Sequence, residues 1–474
     1  MTREAFYSTR SEPSGRPRLL FVSYYFPPRQ SAGALRWRKL APFLHESGWD
    51  IDVLTTPPEG KRSGGGLSEL PPGIELYAVP EAPGHLRRLE DGIAAWLRKL
   101  LPRGVDNSSR HASVGGGSPA DLPTIPLSGV SWIPRSSREF VRLYKCLVDH
   151  EELLAWARAA EKVGDDLFAQ HRYSGVLASG PPWSTTIAAA RLARTYSLPL
   201  LLDFRDPWAL PLPRHIEKTA HPLGSTLGSR MEADVVRPAR AVIVNTPTVE
   251  RAMRERYPGV LFRTIANGVD DVFEPQPRAP EDPFRIVYAG TIYLDRDPSI
   301  LFDAIGAMVR KLDLAPSELV VEFIGDVGNF HRVPTERYAE RAGIQEYFQA
   351  VGHMPRDQLL ARLERASVLV SLPQSTPWSI PSKIFEYMGF NSDVLVYAEP
   401  GSATAEMLGG SEAIVLDPLD REGTLSALCT SHERYKAGLS ANTSLDRQRF
   451  ARAKTGRELQ ALLHEIGLVG ERAR

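Results

Sequence analysis

Short apolar runs recur along the chain, each followed by a break rich in Gly, Pro, Ser or Asp and then by a segment whose apolar positions fall at helical spacing. The first run, 18–24, ends in Tyr25-Phe26-Pro27-Pro28, and a small polar loop at 29–33 leads into a helix predicted over 34–47, where Leu40, Phe43 and Leu44 share a face. The strand at 51–56 completes a βαβ unit, so the sheet it starts is expected to be parallel. The pattern then loosens over 57–137, a long insertion of Ser, Gly and Pro with the composition of loop. Order returns with a helix at 150–170, a strand at 175–180, a helix opening at Pro181-Pro182-Trp183-Ser184 and a strand at 198–202. Strands at 241–245 and 262–267 close the first half.

After a Pro-rich linker at 275–283 the rhythm repeats, with strands at 285–290, 319–325, 348–352, 366–372, 394–398 and 414–416. The organisation read from this is α/β, with a doubly wound domain over 18–275 and a second over 276–440. The last segment, 441–474, carries an amphipathic helix at 445–466 that is expected to cross back to the first domain. Residues 1–17 are polar and read as a disordered tail.

Composition narrows the function classes. Lys plus Arg and Asp plus Glu number 57 each, so no overall field favours nucleic acid as a partner. Cys146 and Cys429 are far apart and form neither a disulfide framework nor metal spacing, in keeping with a reducing cytoplasm. No apolar run reaches the roughly 18 residues of a membrane span, and the polar start has no signal-peptide centre. Two basic amphipathic segments, 85–101 and 140–147, suit either an anionic surface on the inner face of the membrane or the cover of the first domain's core.

The most informative stretch is Ser379-Ile380-Pro381-Ser382-Lys383-Ile384-Phe385-Glu386-Tyr387-Met388-Gly389. A helix is predicted to open at Ser382, whose hydroxyl can cap it, with Lys383 and Glu386 on one face of its first turn. A cation, free amides and a carboxylate suit a nucleotide diphosphate, Lys383 meeting phosphate and Glu386 accepting from ribose hydroxyls; the same spacing also describes an ordinary solvated ion pair. In the first half, Gly33 follows a strand and lets the backbone approach a sugar or phosphate, or serves a turn. Asp203-Phe204-Arg205-Asp206-Pro207-Trp208 follows another strand, with Arg205 either meeting a phosphate or locking its loop through an Asp. His353 reads as a loop residue, since nothing near it in sequence would orient it as a base. Neither metal-ligand spacing nor Walker-type glycines occur.

These motifs resemble the retaining glycosyltransferases of the GT-B fold, specifically the large family-4 group that builds bacterial surface glycans. In that group a Glu-x7-Glu motif spans the loop and helix; Glu386 stands at its second position and Trp378 at its first. A Gly-Arg-x4-Lys pattern neutralises the leaving diphosphate, and here Gly290 leads, Thr291 stands at the Arg position and Arg296 at the Lys position. The loop holding His353 and Met354 corresponds to the one that grips the base through its backbone. Asn267-Gly268-Val269-Asp270 is similar to the hinge, and Ser179-Gly180-Pro181-Pro182 and the Asp203–Trp208 stretch to a branch of the group, many of whose members carry a His where Ser179 or Asp203 falls. The resemblance implies two Rossmann-like domains facing each other across a cleft, a nucleotide-diphosphate sugar as co-substrate, no metal or other cofactor, and a glycan or lipid-linked acceptor near Ser179, Asp203, Arg205 and Asp206. Transfer would run with retention, the leaving diphosphate taking the acceptor's proton. A nucleotide-sugar epimerase of similar shape and a non-catalytic nucleotide-sugar scaffold are the alternatives.

Overall fold

In the computed structural model, residues 4–10, 15–29, 31–57, 70–81, 84–88, 135–211, 222–269, 282–292, 296–439 and 448–468 are described. The chain divides into two compact units, the first made of Met1–Asn245, Glu250–Ile265 and Gly456–Arg474, the second of Thr246–Val249 and Ala266–Thr455. The first unit thus gives way at Ile265, ahead of the boundary at 275 suggested by the linker composition.

Among the described residues unit one is built on eight strands: β1 (Tyr7–Ser8), β2 (Arg18–Ser23), β3 (Asp50–Thr55), β4 (Ile74–Ala78), β5 (Gly175–Gly180), β6 (Leu200–Phe204), β7 (Ala241–Val244) and β8 (Phe262–Thr264). Their order is β1-β4-β3-β2-β5-β6-β7-β8, parallel except for β1. From β2 the chain winds one way to β4 and from β5 the other way to β8, so the winding reverses between β2 and β5. Open α/β sheets bind ligands beyond the carboxyl ends of such a pair. Both faces are covered, which is why the strands read as continuous apolar runs rather than alternating ones.

One side of this core holds Phe21, Trp37, Leu40, Leu44, Val53 and Ile243 together with Leu459, Leu462, Leu463 and Ile466. The last four belong to the helix Arg452–Glu465 and the residue just after it, from near the chain's end. Spacing at 459, 462, 463 and 466 makes one apolar stripe, and the stripe is what that segment buries.

The expected tail at 1–17 is corrected in its described part. Tyr7–Ser8 pairs with β4, Phe6 N–H donates to Leu76 O at 2.9 Å and Thr9 N–H to Ile74 O at 2.8 Å. Arg10 then reaches Asp50 at 3.3 Å, Asp52 at 2.5 Å and Glu75 at 2.7 Å. A two-residue strand has no periodicity to read; a long-range ion cluster fixes it. The insertion also ends differently. Arg135–Phe168 is one helix of 34 residues, which absorbs both the segment at 140–147 and the helix expected at 150–170. Residues 89–101 of the other amphipathic segment lie outside the described residues.

Unit two carries β9 (Phe284–Thr291), β10 (Leu319–Asp326), β13 (Phe348–Val351), β14 (Val368–Ser371), β15 (Asp393–Tyr397) and β16 (Ile414–Leu416), with a small antiparallel ribbon of β11 (Asn329–Phe330) and β12 (Val333–Pro334). The main sheet is parallel, in the order β13-β10-β9-β14-β15-β16, and its winding reverses between β9 and β14. Alternate residues feed two cores. Ile286, Tyr288, Val321, Phe323, Val368 and Val370 face one, while Val287, Ala289, Ile324, Leu369, Val394 and Val396 face the other.

Leu462→Ala should destabilise unit one by about 2–5 kcal/mol, as large-to-small changes in cores do. Urea unfolding followed by the fluorescence of the buried Trp37 and Trp49 checks this. An unchanged midpoint would mean that the last helix contributes nothing to that core.

Candidate functional site

Two groups of candidate residues fall at the carboxyl edge of unit two's sheet, on either side of the reversal. Gly290 and Thr291 end β9, with Arg296 a few residues on; Ser382, Lys383 and Glu386 lie on the short helix Ser382–Tyr387, which follows β14. That helix opens after Pro381 with no side-chain cap, so Ser382 is its first residue and not its cap, a correction to the sequence reading. Ile384, Phe385 and Met388 are buried beneath it, and this leaves Lys383 and Glu386 on its outer face.

Tyr387 ties the two groups together. The β9–β14 ladder ends at Tyr288 opposite Val370. One residue further, the Tyr387 hydroxyl accepts from Ala289 N–H at 3.0 Å and donates to Ala289 O at 3.2 Å, standing in for a strand. Burial raises the phenol well above its ordinary pKa, so it stays neutral and serves as donor and acceptor at once. Because Glu386 precedes Tyr387 and Gly290 follows Ala289, both groups are positioned from this one contact.

Glu386 holds a cation on each oxygen: Lys383 at 3.3 Å and Arg356 at 2.8 Å. Arg356 opens the helix Arg356–Glu364 and was missed in the sequence, where it is one exposed arginine among many with no spacing to mark it. Arg296 donates to the carbonyl of Thr291 at 3.0 Å, which also receives the Tyr288 hydroxyl at 2.9 Å. Tyr293, Leu294 and Asp295 lie outside the described residues. Gly325 pairs with Gly290 across β10 and β9 at φ +114°, and a Cβ there would stand 2.3 Å from Gly290 O, so only glycine fits. His353 is exposed in the loop after β13, and Met354 packs beside the core. Near the end of β15, Glu399 accepts from Ser375 N–H at 2.8 Å.

In unit one the expected acceptor residues divide into two kinds. Asp203 is fully buried, and its carboxylate is taken by Arg36, Trp37 and Ser179: Arg36 Nη2 at 3.0 Å, Trp37 Nε1 at 2.8 Å and Ser179 Oγ at 2.8 Å. Arg36 also donates to Ile265 O at 2.8 Å. Asp203 and Ser179 are therefore a buried brace, with the Ser179 proton and both Asp203 oxygens committed inward. The signal was available: an Asp at the end of the run Leu200-Leu201-Leu202 needs a buried partner, and Arg36 sits beside Trp37 on a helix otherwise apolar inward.

Arg205 and Asp206 lie just beyond the end of β6 and are less buried than Asp203. The Arg205 guanidinium donates to Pro181 O, and a Cβ at Gly33 would stand 2.1 Å from its Nη1. Gly33 thus makes room for Arg205, which takes the place that the sequence reading left open for a sugar or phosphate. Burial lowers the Arg205 pKa, with Asp203 and Asp206 opposing. The nearby rings of Trp183 and Trp208 stack at 4.8 Å. Among the described residues no three His, Cys, Asp or Glu side chains form a metal site.

Asp203→Ala should cost about 3–5 kcal/mol of stability, because it strands the buried Arg36 charge. Thermal or urea unfolding tests this. A variant as stable as the parent would return Asp203 to the list of acceptor contacts.

No protein-family model matches the chain, and no curated protein is similar to it in sequence. Solved structures do match over nearly its whole length. The N-terminal domain of Candida albicans trehalose-6-phosphate phosphatase has a TM-score of 0.59 at 12% identity, covering 98% of this chain and 99% of that one. An α,α-trehalose-phosphate synthase (UDP-forming) from Burkholderia xenovorans, in complex with glucose-6-phosphate, has a TM-score of 0.54 at 12% identity over 95% and 100%. Anabaena HepE in complex with UDP-glucose has a TM-score of 0.53 at 13% identity over 95% and 100%. At such identities the likeness speaks to architecture, and the architecture is GT-B, with two Rossmann-like domains.

Proposed function

We propose that the protein is a glycosyltransferase that moves a sugar from a nucleotide-diphosphate sugar to a hydroxyl acceptor, with retention, in the assembly of a surface glycan. The observation that carries this reading is the Tyr387–Ala289 contact, which brings a carboxylate and a set of cations to one edge of a parallel sheet where its winding reverses. The GT-B fold supports it, as do neighbours whose titles name UDP-glucose and glucose-6-phosphate.

In this reading Glu386 accepts from the ribose hydroxyls, while Lys383 and Arg296 meet the diphosphate as its negative charge grows. The bond from the anomeric carbon to the diphosphate breaks, the acceptor oxygen bonds to that carbon on the same face, and the acceptor's proton passes to the departing phosphate oxygen. The protein's part is charge stabilisation and positioning. Gly290, Gly325 and the loop of His353 and Met354 shape the donor side, and Arg205 with Asp206 serves the acceptor. No metal or other cofactor is assigned a role. The reading extends to a cytoplasmic protein resting on the inner face of the membrane through exposed Phe140, Val141 and Leu147 beside Arg142 and Lys145.

Release of nucleoside diphosphate from a panel of nucleotide sugars, with and without acceptor, tests the class. Acceptor-dependent release is expected; release of none, or conversion of the donor alone, would end the transferase reading. Glu386→Gln should weaken nucleotide and nucleotide-sugar binding together by about 1.5–3 kcal/mol, as loss of a charged acceptor does. Arg296→Ala and Lys383→Ala should lower turnover more than donor affinity. Binding of the full chain to anionic liposomes should weaken with added salt and with Arg142 and Lys145 changed to Glu. Equal partitioning onto neutral vesicles would remove the membrane from the reading.

A further inference from the structure

Glu386 meets its two cations from two different helices. Lys383 Nζ stands 3.3 Å from Oε2 and belongs to the same short helix, Ser382–Tyr387. Arg356 Nη1 stands 2.8 Å from Oε1 and opens the helix Arg356–Glu364, which follows β13. One core fixes both helices, since Leu359, Leu360 and Leu363 of the one pack into it together with Ile384 and Phe385 of the other. An exchange of partners at Glu386 therefore needs only side chains to move.

The Glu386 side chain is 19% exposed, and both cations are more exposed than it is. They stand on its solvent side, where a ligand arrives. A rival account is an ordinary surface pair in which Arg356 orients the carboxylate for that ligand. Orientation is already supplied twice, by Lys383 on Oε2 and by the Tyr387 hydroxyl, which pins the next residue to Ala289. What Arg356 adds is occupancy of Oε1.

With Glu386 as the ribose acceptor of the proposed donor site, we propose that Arg356 is a positioning residue acting through it: Arg356 closes the carboxylate in the ligand-free protein and yields Oε1 to the ribose hydroxyls. Binding then exchanges a contact between two charges for one with a neutral donor. Breaking the ion pair subtracts from the affinity of a ribonucleotide. It subtracts nothing from that of a 2′,3′-dideoxynucleotide, which brings no hydroxyl to Glu386. Salt screens the pair, so added salt lessens the subtraction and raises the preference for ribose, opposite in sign to its usual weakening of phosphate binding.

The experiment measures, by calorimetry on the full chain, the dissociation constants of UDP, GDP, ADP and CDP and of their 2′,3′-dideoxy forms. The ratio of each pair is read, because base and phosphate contacts cancel in it. In the parent the ratio should favour ribose and should grow between about 0.05 and 0.5 M salt. Arg356→Ala should raise the low-salt preference about 2- to 5-fold, the upper part of the range for an exposed ion pair, and make it insensitive to salt. The same is expected of Arg356→Gln, and a cooperative thermal transition checks the folding of each variant. A merely structural Arg356 would leave the preference unchanged, and an orienting one would lower it on removal; either result would overturn the proposal while leaving Glu386 as the ribose acceptor. A parent that shows no preference for ribose, or binds none of the diphosphates, would remove the donor reading and this role of Arg356 together.

Discussion

One tyrosine hydroxyl does for the second unit what a strand would otherwise do. At the reversal between β9 and β14 the ladder has run out, yet both the N–H and the C=O of Ala289 still need partners. Leaving such buried groups unpaired costs about 1–3 kcal/mol each. Tyr387 meets both with one oxygen, and burial keeps that oxygen protonated. The Ser382–Tyr387 helix is only six residues long and would be marginal alone. Pinned through Tyr387 and packed through Ile384, Phe385 and Met388, it becomes a rigid mount for Lys383 and Glu386.

The corresponding edge of the first unit is built on the opposite principle. There the charge nearest the core, Asp203, is enclosed and shared among Arg36, Trp37 and Ser179. A buried ion pair of this kind adds little net stability over an apolar substitute, but it fixes which elements meet. Here it joins the helix Ala32–Glu46 to the ends of β5 and β6, and through Ile265 to the residue after β8. The chemistry left accessible on that edge is consequently narrower than the charged sequence Asp203-Phe204-Arg205-Asp206 suggests.

Strands were legible because both sheets are covered on both faces, so each buried strand is an apolar run that needs no alternation to be seen. Residues just beyond those runs, such as Thr291, Lys383 and Glu386, were legible for the same reason: topology delivers strand ends to one edge. What escaped depends on contacts that no local pattern encodes. Tyr7–Ser8 is too short to show a period and is secured by Arg10 reaching strands forty or more residues away. Asp203 was placed just after its strand, in the charged stretch near the acceptor, whereas it lies within β6 and is buried there. The helix Arg135–Phe168 lacks a continuous apolar stripe, since its early turns leave Phe140, Val141 and Leu147 outside, and it therefore read as separate segments.

The two cations on Glu386 are not equivalent, and the difference bears on how a ligand could enter. Arg356 reaches the carboxylate from another helix through a side chain 56% exposed, whereas Lys383 is 35% exposed and shares Glu386's own helix. Exposed pairs are worth about 0–1 kcal/mol, because water competes for both charges. In the proposed donor site, ribose hydroxyls would therefore replace Arg356 on its oxygen at small cost, leaving the lysine on the other. A carboxylate caged by two buried cations would resist that exchange, and one with no cation beside it would lack a counterpart for phosphate. The observed arrangement lies between these extremes: Tyr387 holds the carboxylate in place, while one of its partners remains displaceable.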